Sequence, residues 1–354
     1  MNRINEYYER ERNLFSLIRF QCEMCLNEGD RIMRKTFINF LSVLILVTGI
    51  WTFVLPQENL RIAIVPKNKI GVFWKSVLVG AKLGSVALGN IEVVWRVPQE
   101  ENTLSQISVV EQCITEGVSG IILAPMEKDS LAVPVAKAVK KKIPVLIFDS
   151  KLKGTAGKDY ISFVGIDNKK AGALAGEQLA KLLGGKGKVV MLRVAANQTS
   201  ILDREKGFLE LMAKYKDIQI ENNLYAGVTV DDAVNESLKM TNKLKEADGI
   251  FCSYEQTTKA MLIALRKLGL SGKVKFIGFD TPVEAVKALK EGEISALVAQ
   301  DPARMGYLSI KAMVDYLRGK KIDPMIDTGV QIVTRENINN PEIQKLLALP
   351  VIEE

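Results

Sequence analysis

The stretch IPVLIFDS (residues 143–150) decides the fold, because an uninterrupted apolar run ends directly at an aspartate. A strand that is apolar on both faces is typical of a parallel sheet covered by helices on both sides. From residue 61 the chain repeats this unit, each run being followed by an amphipathic stretch of about 12 to 18 residues. About ten such runs are too many for one compact sheet, so we predict two doubly wound α/β, Rossmann-like lobes.

The composition excludes several classes of enzyme. The 354 residues are 47% apolar and 25% charged, as in a globular protein, and they include no histidine. A Ser-His-Asp triad, a Cys-His pair and an HExxH zinc helix are therefore excluded. The four cysteines are too few for a disulfide framework, and the lone CxxC of Cys22 and Cys25 lacks the second pair of a zinc site. The basic residues alternate with acids, so we predict no nucleic-acid partner.

The N-terminal part contains a candidate membrane anchor. Residues 37–55, FINFLSVLILVTGIWTFVL, are uncharged and long enough as a helix to cross a bilayer. Basic residues precede this run, which predicts a cytoplasmic side for residues 1–36 and export of the remainder. A cleaved signal peptide is the alternative, although no convincing cleavage site precedes Pro56. Residues 1–32 are either a cytoplasmic tail or a misassigned extension upstream of Met33.

Polar and aromatic side chains follow the predicted strands, where ligands of doubly wound sheets bind. Carboxylates, carboxamides and guanidinium groups bind neighbouring hydroxyls in pairs, and an aromatic face covers the C–H face of a sugar ring. This combination predicts a polyol site without a catalytic pair, a metal or a cofactor, since no GxGxxG follows the first strand. The candidate binding residues are Phe73, Trp74, Asp149, Ser150, Arg204, Tyr254, Asp280 and Gln300.

Five motifs in order carry a resemblance to a known family. IPVLIFDS, FVGIDNKKAG (163–172), REKGF (204–208), KFIGFD (275–280) and ALVAQDP (296–302) resemble the signatures of periplasmic sugar-binding proteins of the ribose-binding type, the substrate-binding proteins of ABC transporters. The resemblance runs from about residue 60 to 349. It implies the type I periplasmic binding fold, with residues 60–163 plus 301–329 in an N-terminal lobe, 164–300 plus 330–349 in a C-terminal lobe, and a three-stranded hinge between them.

The resemblance also implies roles for individual residues. It places Asp149, Arg204, Asp280 and Gln300 at positions that donate or accept hydrogen bonds with the ligand, and Phe73 with Trp74 in a stacking wall. The chain departs from the ribose pattern at three positions, where Ser150 replaces an arginine and Ala124 and Tyr254 each replace an asparagine. These departures argue against D-ribose itself as the ligand.

We consider four functions for this sequence. The first is an extracytoplasmic, membrane-tethered sugar receptor that delivers its ligand to an ABC permease, and the second is a sugar-sensing input protein for a membrane histidine kinase. The third is a LacI-type repressor core, which residues 37–55 oppose because they are too apolar for a helix-turn-helix. The fourth is a Rossmann-like enzyme, which the absent nucleophile and base oppose. We therefore predict a binding protein, not an enzyme.

Overall fold

The structure is a computed structural model that describes residues 59–68, 71–194, 198–227 and 229–348. These residues belong to one compact unit that begins at residue 58. The predicted anchor at residues 37–55, the segment 1–36 and the CxxC pair lie outside the described residues. Within the described ranges, no helix has both the length and the apolar character needed to cross a membrane.

The chain forms two six-stranded sheets, which confirms the predicted two-lobed α/β architecture. In the first sheet the strands are β1 (Leu60–Val65), β2 (Ile91–Trp95), β3 (Gly120–Leu123), β4 (Val145–Phe148), β5 (Phe163–Gly165) and β11 (Met325–Asp327). In the second they are β6 (Lys186–Arg193), β7 (Asp217–Tyr225), β8 (Gly249–Cys252), β9 (Lys275–Phe279), β10 (Ala296–Gln300) and β12 (Val330–Val333). The spatial orders, β11-β5-β4-β3-β1-β2 and β12-β10-β9-β8-β6-β7, have the same pattern.

Helices cover both faces of each sheet, as the apolar strands predict. The first lobe contains α1 (Val72–Leu88), α2 (Thr103–Glu116), α3 (Ala132–Lys140) and α10 (Pro302–Leu317). The second contains α4 (Asn168–Leu182), α5 (Thr199–Met212), α6 (Val230–Lys239), α7 (Thr241–Glu246), α8 (Glu255–Lys267), α9 (Val283–Glu291) and α11 (Pro341–Leu347). Each sheet therefore has a hydrophobic core on each side.

The chain passes between the sheets three times, after β5, after β10 and after β11. The last passage is short and leads into β12, which pairs with β10 in the antiparallel sense. The expectation of purely parallel sheets is therefore wrong at this edge. An antiparallel strand needs no crossover helix, so a short connection can place it there.

Two helix pairs pack at glycines with their backbones in close approach. A Cβ added at Gly172 of α4 would lie 1.8 Å from the backbone oxygen of Arg204 on α5. Gly306 of α10 packs in the same way, because a Cβ there would lie 2.0 Å from the backbone oxygen of Val77 on α1. These contacts fix the helices whose first turns face the space between the lobes.

The glycine contact predicts a large effect on stability. We expect Gly172→Ala to lower the free energy of unfolding by about 3 kcal/mol or more, since a backbone atom cannot move aside as a side chain can. The matched control is Gly319→Ala, where nothing lies within 4 Å but φ is +79°. The free energy of unfolding of this control should fall by only about 1 kcal/mol. Equal losses in urea unfolding experiments would contradict the packing argument.

Candidate functional site

The carboxyl ends of the central strands of both sheets face one cleft between the lobes. The cleft is lined by Lys67, Asn68, Phe73, Trp74, Asp149, Gln198, Ser200, Ile201, Arg204, Tyr254, Glu255, Gln256, Asp280 and Gln300. Seven of the eight predicted site residues are among them. Ser150 is the exception, and it lies fully buried directly behind this lining. The space between the side chains is about 30 Å³, roughly the volume of one water molecule.

The first-lobe side of the cleft is built around a buried ion pair. Lys67 Nζ lies 2.7 Å from Asp149 Oδ2, and both side chains are 5% exposed. Lys67 Nζ also donates to Ser150 Oγ, whose hydroxyl donates to Asp149 Oδ2 at 3.0 Å. Ser150 is therefore a partner of the ion pair. Lys67 was visible in the sequence as a strand-end residue but was not among the eight predicted binding residues.

The second-lobe side is built around Arg204. Its guanidinium carbon lies 3.8 Å from the centroid of the Phe279 ring, and Nε donates to Asn168 Oδ1 at 2.7 Å. One terminal nitrogen donates to the backbone oxygen of Ser253 at 3.2 Å. Stacking and these two hydrogen bonds hold the guanidinium plane in one orientation. Burial lowers the pKa of Arg204, and the nearby carboxylates of Asp280 and Asp149 oppose that shift.

Two corresponding aspartates end the equivalent strands β4 and β9. Asp149 has φ 60° and Asp280 has φ 64°, a left-handed conformation that aspartate adopts more readily than most residues. Gln300, at the end of β10, donates through Nε2 to Asp280 Oδ1 at 2.7 Å. The two predicted acidic anchors therefore occupy matching places in the two lobes.

The aromatic residues occupy different depths. Trp74 is 7% exposed and packs edge to face on Phe148, with ring centroids 6.0 Å apart. Phe73 lies beside it in a second edge-to-face contact at 5.0 Å. Both rings line the cleft, but Trp74 also belongs to the core of the first lobe. Tyr254 lines the cleft from the second lobe, and burial raises the pKa of its hydroxyl.

Two carboxamide oxygens in the cleft stand out. Among the described residues, neither Gln300 Oε1 nor Gln256 Oε1 has a hydrogen-bond partner, although both atoms are buried. A buried acceptor without a partner is unfavourable unless a ligand or water donates to it. Sequence reasoning missed Gln256, because it is the second residue of α8 and does not directly follow a strand. Gln198 and Ser200 were missed for the same reason.

Side chains from the two lobes contact each other directly. Lys67 Nζ of the first lobe donates to Ser200 Oγ of the second at 3.1 Å. Asn168 at the start of α4 donates to the backbone oxygen of Asp149 at 3.2 Å while it accepts from Arg204. Asn168 thus links the central anchors of the two lobes.

The buried Asp280 carboxyl predicts a pH dependence of stability. Burial raises its pKa to about 6, against a partial opposing effect of Arg204. Since the folded state holds this proton more tightly than the unfolded state, Asp280 stabilises the fold at low pH. That contribution is lost as pH rises through about 6. Between pH 5 and 8 we expect a loss of about 1 to 2 kcal/mol.

The matched variant for this prediction is Asp280→Asn, which removes the titration and keeps the shape. Its free energy of unfolding, measured with urea between pH 5 and 8, should fall less with pH than that of the wild type. Identical pH profiles for both proteins would show that Asp280 does not titrate in this range.

The fold and the cleft together define a two-lobed solute-binding protein. Residues 62–321 match the profile of the periplasmic binding protein domain, and the chain belongs to this family. It is 28% identical over 268 residues to the D-allose-binding periplasmic protein of Escherichia coli, which covers 74% of this chain and 86% of that protein. It is 29% identical over 289 residues to the D-ribose/D-allose-binding protein of Pseudomonas aeruginosa, with coverage of 78% and 89%.

Solved structures give the same result. An ABC transporter solute-binding protein of Agrobacterium vitis with bound D-fucose is 31% identical, with a TM-score of 0.78 over 81% of this chain and 100% of that one. A carbohydrate transporter solute-binding protein of Agrobacterium radiobacter in complex with D-arabinose is 30% identical, with a TM-score of 0.77 over 83% and 100%. The resemblance to sugar receptors of ABC transporters and the prediction of a non-enzymatic, extracytoplasmic binding protein are confirmed.

Proposed function

We propose that the protein is an extracytoplasmic receptor that binds a monosaccharide or a similar polyol between its lobes and delivers it to an ABC importer. The observation that carries this proposal is the pair of buried, unpartnered carboxamide oxygens of Gln256 and Gln300, considered within the described residues. Each can accept a hydrogen bond from a ligand hydroxyl. The relatives named for D-allose and D-ribose, and the structures with D-fucose and D-arabinose, support a sugar as that ligand.

The charged residues have separate roles in this proposal. Asp149 and Asp280 accept hydrogen bonds from sugar hydroxyls, and Arg204 donates hydrogen bonds to the hydroxyl oxygens. Gln300 accepts one further hydrogen bond through Oε1. Ser150 places no formal charge at its position, and its hydroxyl supports Asp149. Phe73 and Trp74 cover a face of the ring, whereas Tyr254 closes the opposite wall.

Binding couples to closure of the lobes. The space of about 30 Å³ cannot hold a sugar ring, so the lobes have to separate for entry. We infer that the three passages act as the hinge, with lobes of residues 60–163 plus 301–329 and 164–300 plus 330–349. A ligand that contacts both lobes favours the closed form, and a membrane partner recognises that form.

Opposite charges on the two lobes also lie near each other. Burial raises the pKa of Asp203 on α5 of the second lobe, and the positive charges of Lys151 and Lys128 of the first lobe oppose that shift. These charges attract each other when the lobes approach.

The membrane partner of the receptor is an ABC permease or, as the alternative, a sensor kinase, and co-purification from membranes distinguishes the two. We also propose that residues 37–55 tether the receptor to the membrane.

A thermal-shift screen of the purified protein tests the proposal. The panel contains pentoses, hexoses, deoxysugars, polyols and the furanosyl signal autoinducer-2. A ligand at 100 times its dissociation constant should stabilise the fold by about 2.7 kcal/mol and raise the melting temperature. A folded protein that responds to no member of the panel would contradict the sugar assignment.

A further inference from the structure

A second cavity adjoins the ligand cleft. It measures about 460 Å³ and is bordered by α1, α10, the loop after β9 and the end of α11. Four residues line both spaces, namely Phe73, Glu255, Asp280 and Gln300. We call this second cavity the outer chamber. Because the shared residues include three of the predicted ligand-binding residues, the outer chamber directly borders the proposed sugar site.

The size of the outer chamber fits a small molecule. Ligand pockets in proteins measure about 300 to 1,000 Å³, whereas the inner space is close to one water molecule. A ligand that reaches Gln300 from the inner side therefore has room for a substituent on the outer side. The buried Gln300 carboxamide lies between the two spaces, and its Oε1 is unpartnered within the described residues.

The walls of the outer chamber fit a second ring. Tyr307 contributes an aromatic face, and Pro282, Pro302 and Leu346 contribute apolar surface. Flat apolar and aromatic walls are the surfaces on which the C–H faces of sugar rings pack. Both lobes contribute, since Tyr307 belongs to α10 and Leu346 to α11. A ring in this chamber would therefore contact both lobes, as a ring in the inner cleft would.

The side chains that line the outer chamber carry a net positive charge once their own counter-charges are counted. Arg304 and Lys345 line it, and neither side chain has an ion-pair partner within the described residues. Of the acids in this chamber, Glu255 pairs with Lys259 at 2.6 Å, and the nearby Arg204 opposes the charge of Asp280. Asp301 accepts from the backbone nitrogen of Arg304 and caps α10. That backbone hydrogen bond leaves the charge of Asp301 in place, so an anionic group in the chamber would meet two unpaired cations and one unpaired acid.

We propose that the receptor takes an acidic glycoside, a sugar joined to a second ring that bears a carboxylate. The sugar lies at the inner polar cluster, and the acidic ring lies in the outer chamber near Arg304 and Lys345. This inference rests on the proposed sugar-binding function. It specifies the ligand as a two-ring acidic sugar instead of a monosaccharide.

The test is calorimetric titration of the full protein with two matched series of sugars. One series is xylose, xylobiose and glucuronosyl-xylose, and the other is glucose, cellobiose and cellobiouronic acid. In at least one series we expect the acidic disaccharide to bind at least 10-fold more tightly than its neutral counterpart and than the single ring. If sugars bind but in neither series the acidic disaccharide exceeds both its neutral counterpart and the single ring by 10-fold, the inference is overturned and the proposed function stays intact. Failure of every sugar to bind overturns both.

A double variant distinguishes contacts made within the outer chamber from the effect of the protein's net charge on binding. Arg304→Ala with Lys345→Ala should weaken binding of the acidic disaccharide by about 10-fold and leave the neutral disaccharide unchanged. The control, Lys140→Ala with Lys141→Ala, removes the same charge from an exposed part of the first lobe. Equal losses in both double variants, or no loss in the first, would overturn the assignment of the acidic ring to this chamber.

Discussion

Replacing Asp149 with asparagine is expected to lower the free energy of unfolding by about 3 to 5 kcal/mol at pH 7. The variant leaves Lys67, itself 4% exposed, buried without its counter-charge at 2.7 Å. Asparagine tolerates the positive φ of this position, so backbone strain does not contribute. Urea unfolding at constant pH measures the effect.

A double-mutant cycle isolates the ion pair from other effects. Lys67→Met alone should also destabilise the fold, because it leaves the Asp149 carboxylate buried without its cation. The double variant, which retains neither charge of this pair, should recover most of the lost stability. Single variants within about 1 kcal/mol of the wild type would show that solvent reaches this pair and that it is not a structural centre of the cleft.

Replacing Arg204 with alanine should weaken sugar binding by about 2 to 5 kcal/mol, which corresponds to about 30-fold to several thousand-fold in the dissociation constant. The guanidinium is fixed by Phe279, Asn168 and the Ser253 carbonyl, so its remaining donors are oriented for the ligand before binding. Calorimetry with the best ligand from the thermal-shift screen measures the change.

Two further variants separate geometry from charge at this position. Arg204→Lys keeps a positive charge but loses the planar fork, so its affinity should lie between those of the wild type and of Arg204→Ala. Lys206→Ala on the same helix removes an exposed cation and should leave the affinity unchanged. An Arg204→Ala protein that is folded and binds with wild-type affinity would remove Arg204 from the site.

The sequence predicted the parts of the fold that depend on local pattern. Apolar runs with aspartate at their ends, such as VLIFD and FIGFD, are strands buried on both faces in the structure. Because strand ends gather at one edge of a parallel sheet, the sequence also predicted that Asp149 and Asp280 face one cleft. The strands β11 and β12 were missed, since each is short and has no fully apolar run.

The contacts within the site depend on long-range geometry and could not be predicted. Lys67 follows β1 and Asp149 follows β4, with β3 between them in the sheet, so their ion pair depends on the twist and stagger of three strands. The cross-lobe contact of Lys67 with Ser200 depends on how the lobes approach each other. No local pattern carries that information.

A structural repeat between the lobes was also missed. The segments IDNKKAG (166–172) and QDPARMG (300–306) each cap a helix with aspartate and pack a glycine on a helix backbone five residues later. They share only the aspartate and the glycine as identical residues. Two identities at one spacing do not distinguish a repeat from chance, although the geometry that they encode is the same in both lobes.

The most direct test of the central claim is calorimetric titration of the purified wild-type protein with the sugar that raises its melting temperature most. We expect one ligand per chain and a dissociation constant of about 1 µM, which corresponds to about 8 kcal/mol of binding free energy. The absence of binding at millimolar concentrations of every pentose, hexose, polyol and glycoside tried would contradict the claim that the cleft between the lobes is a sugar site.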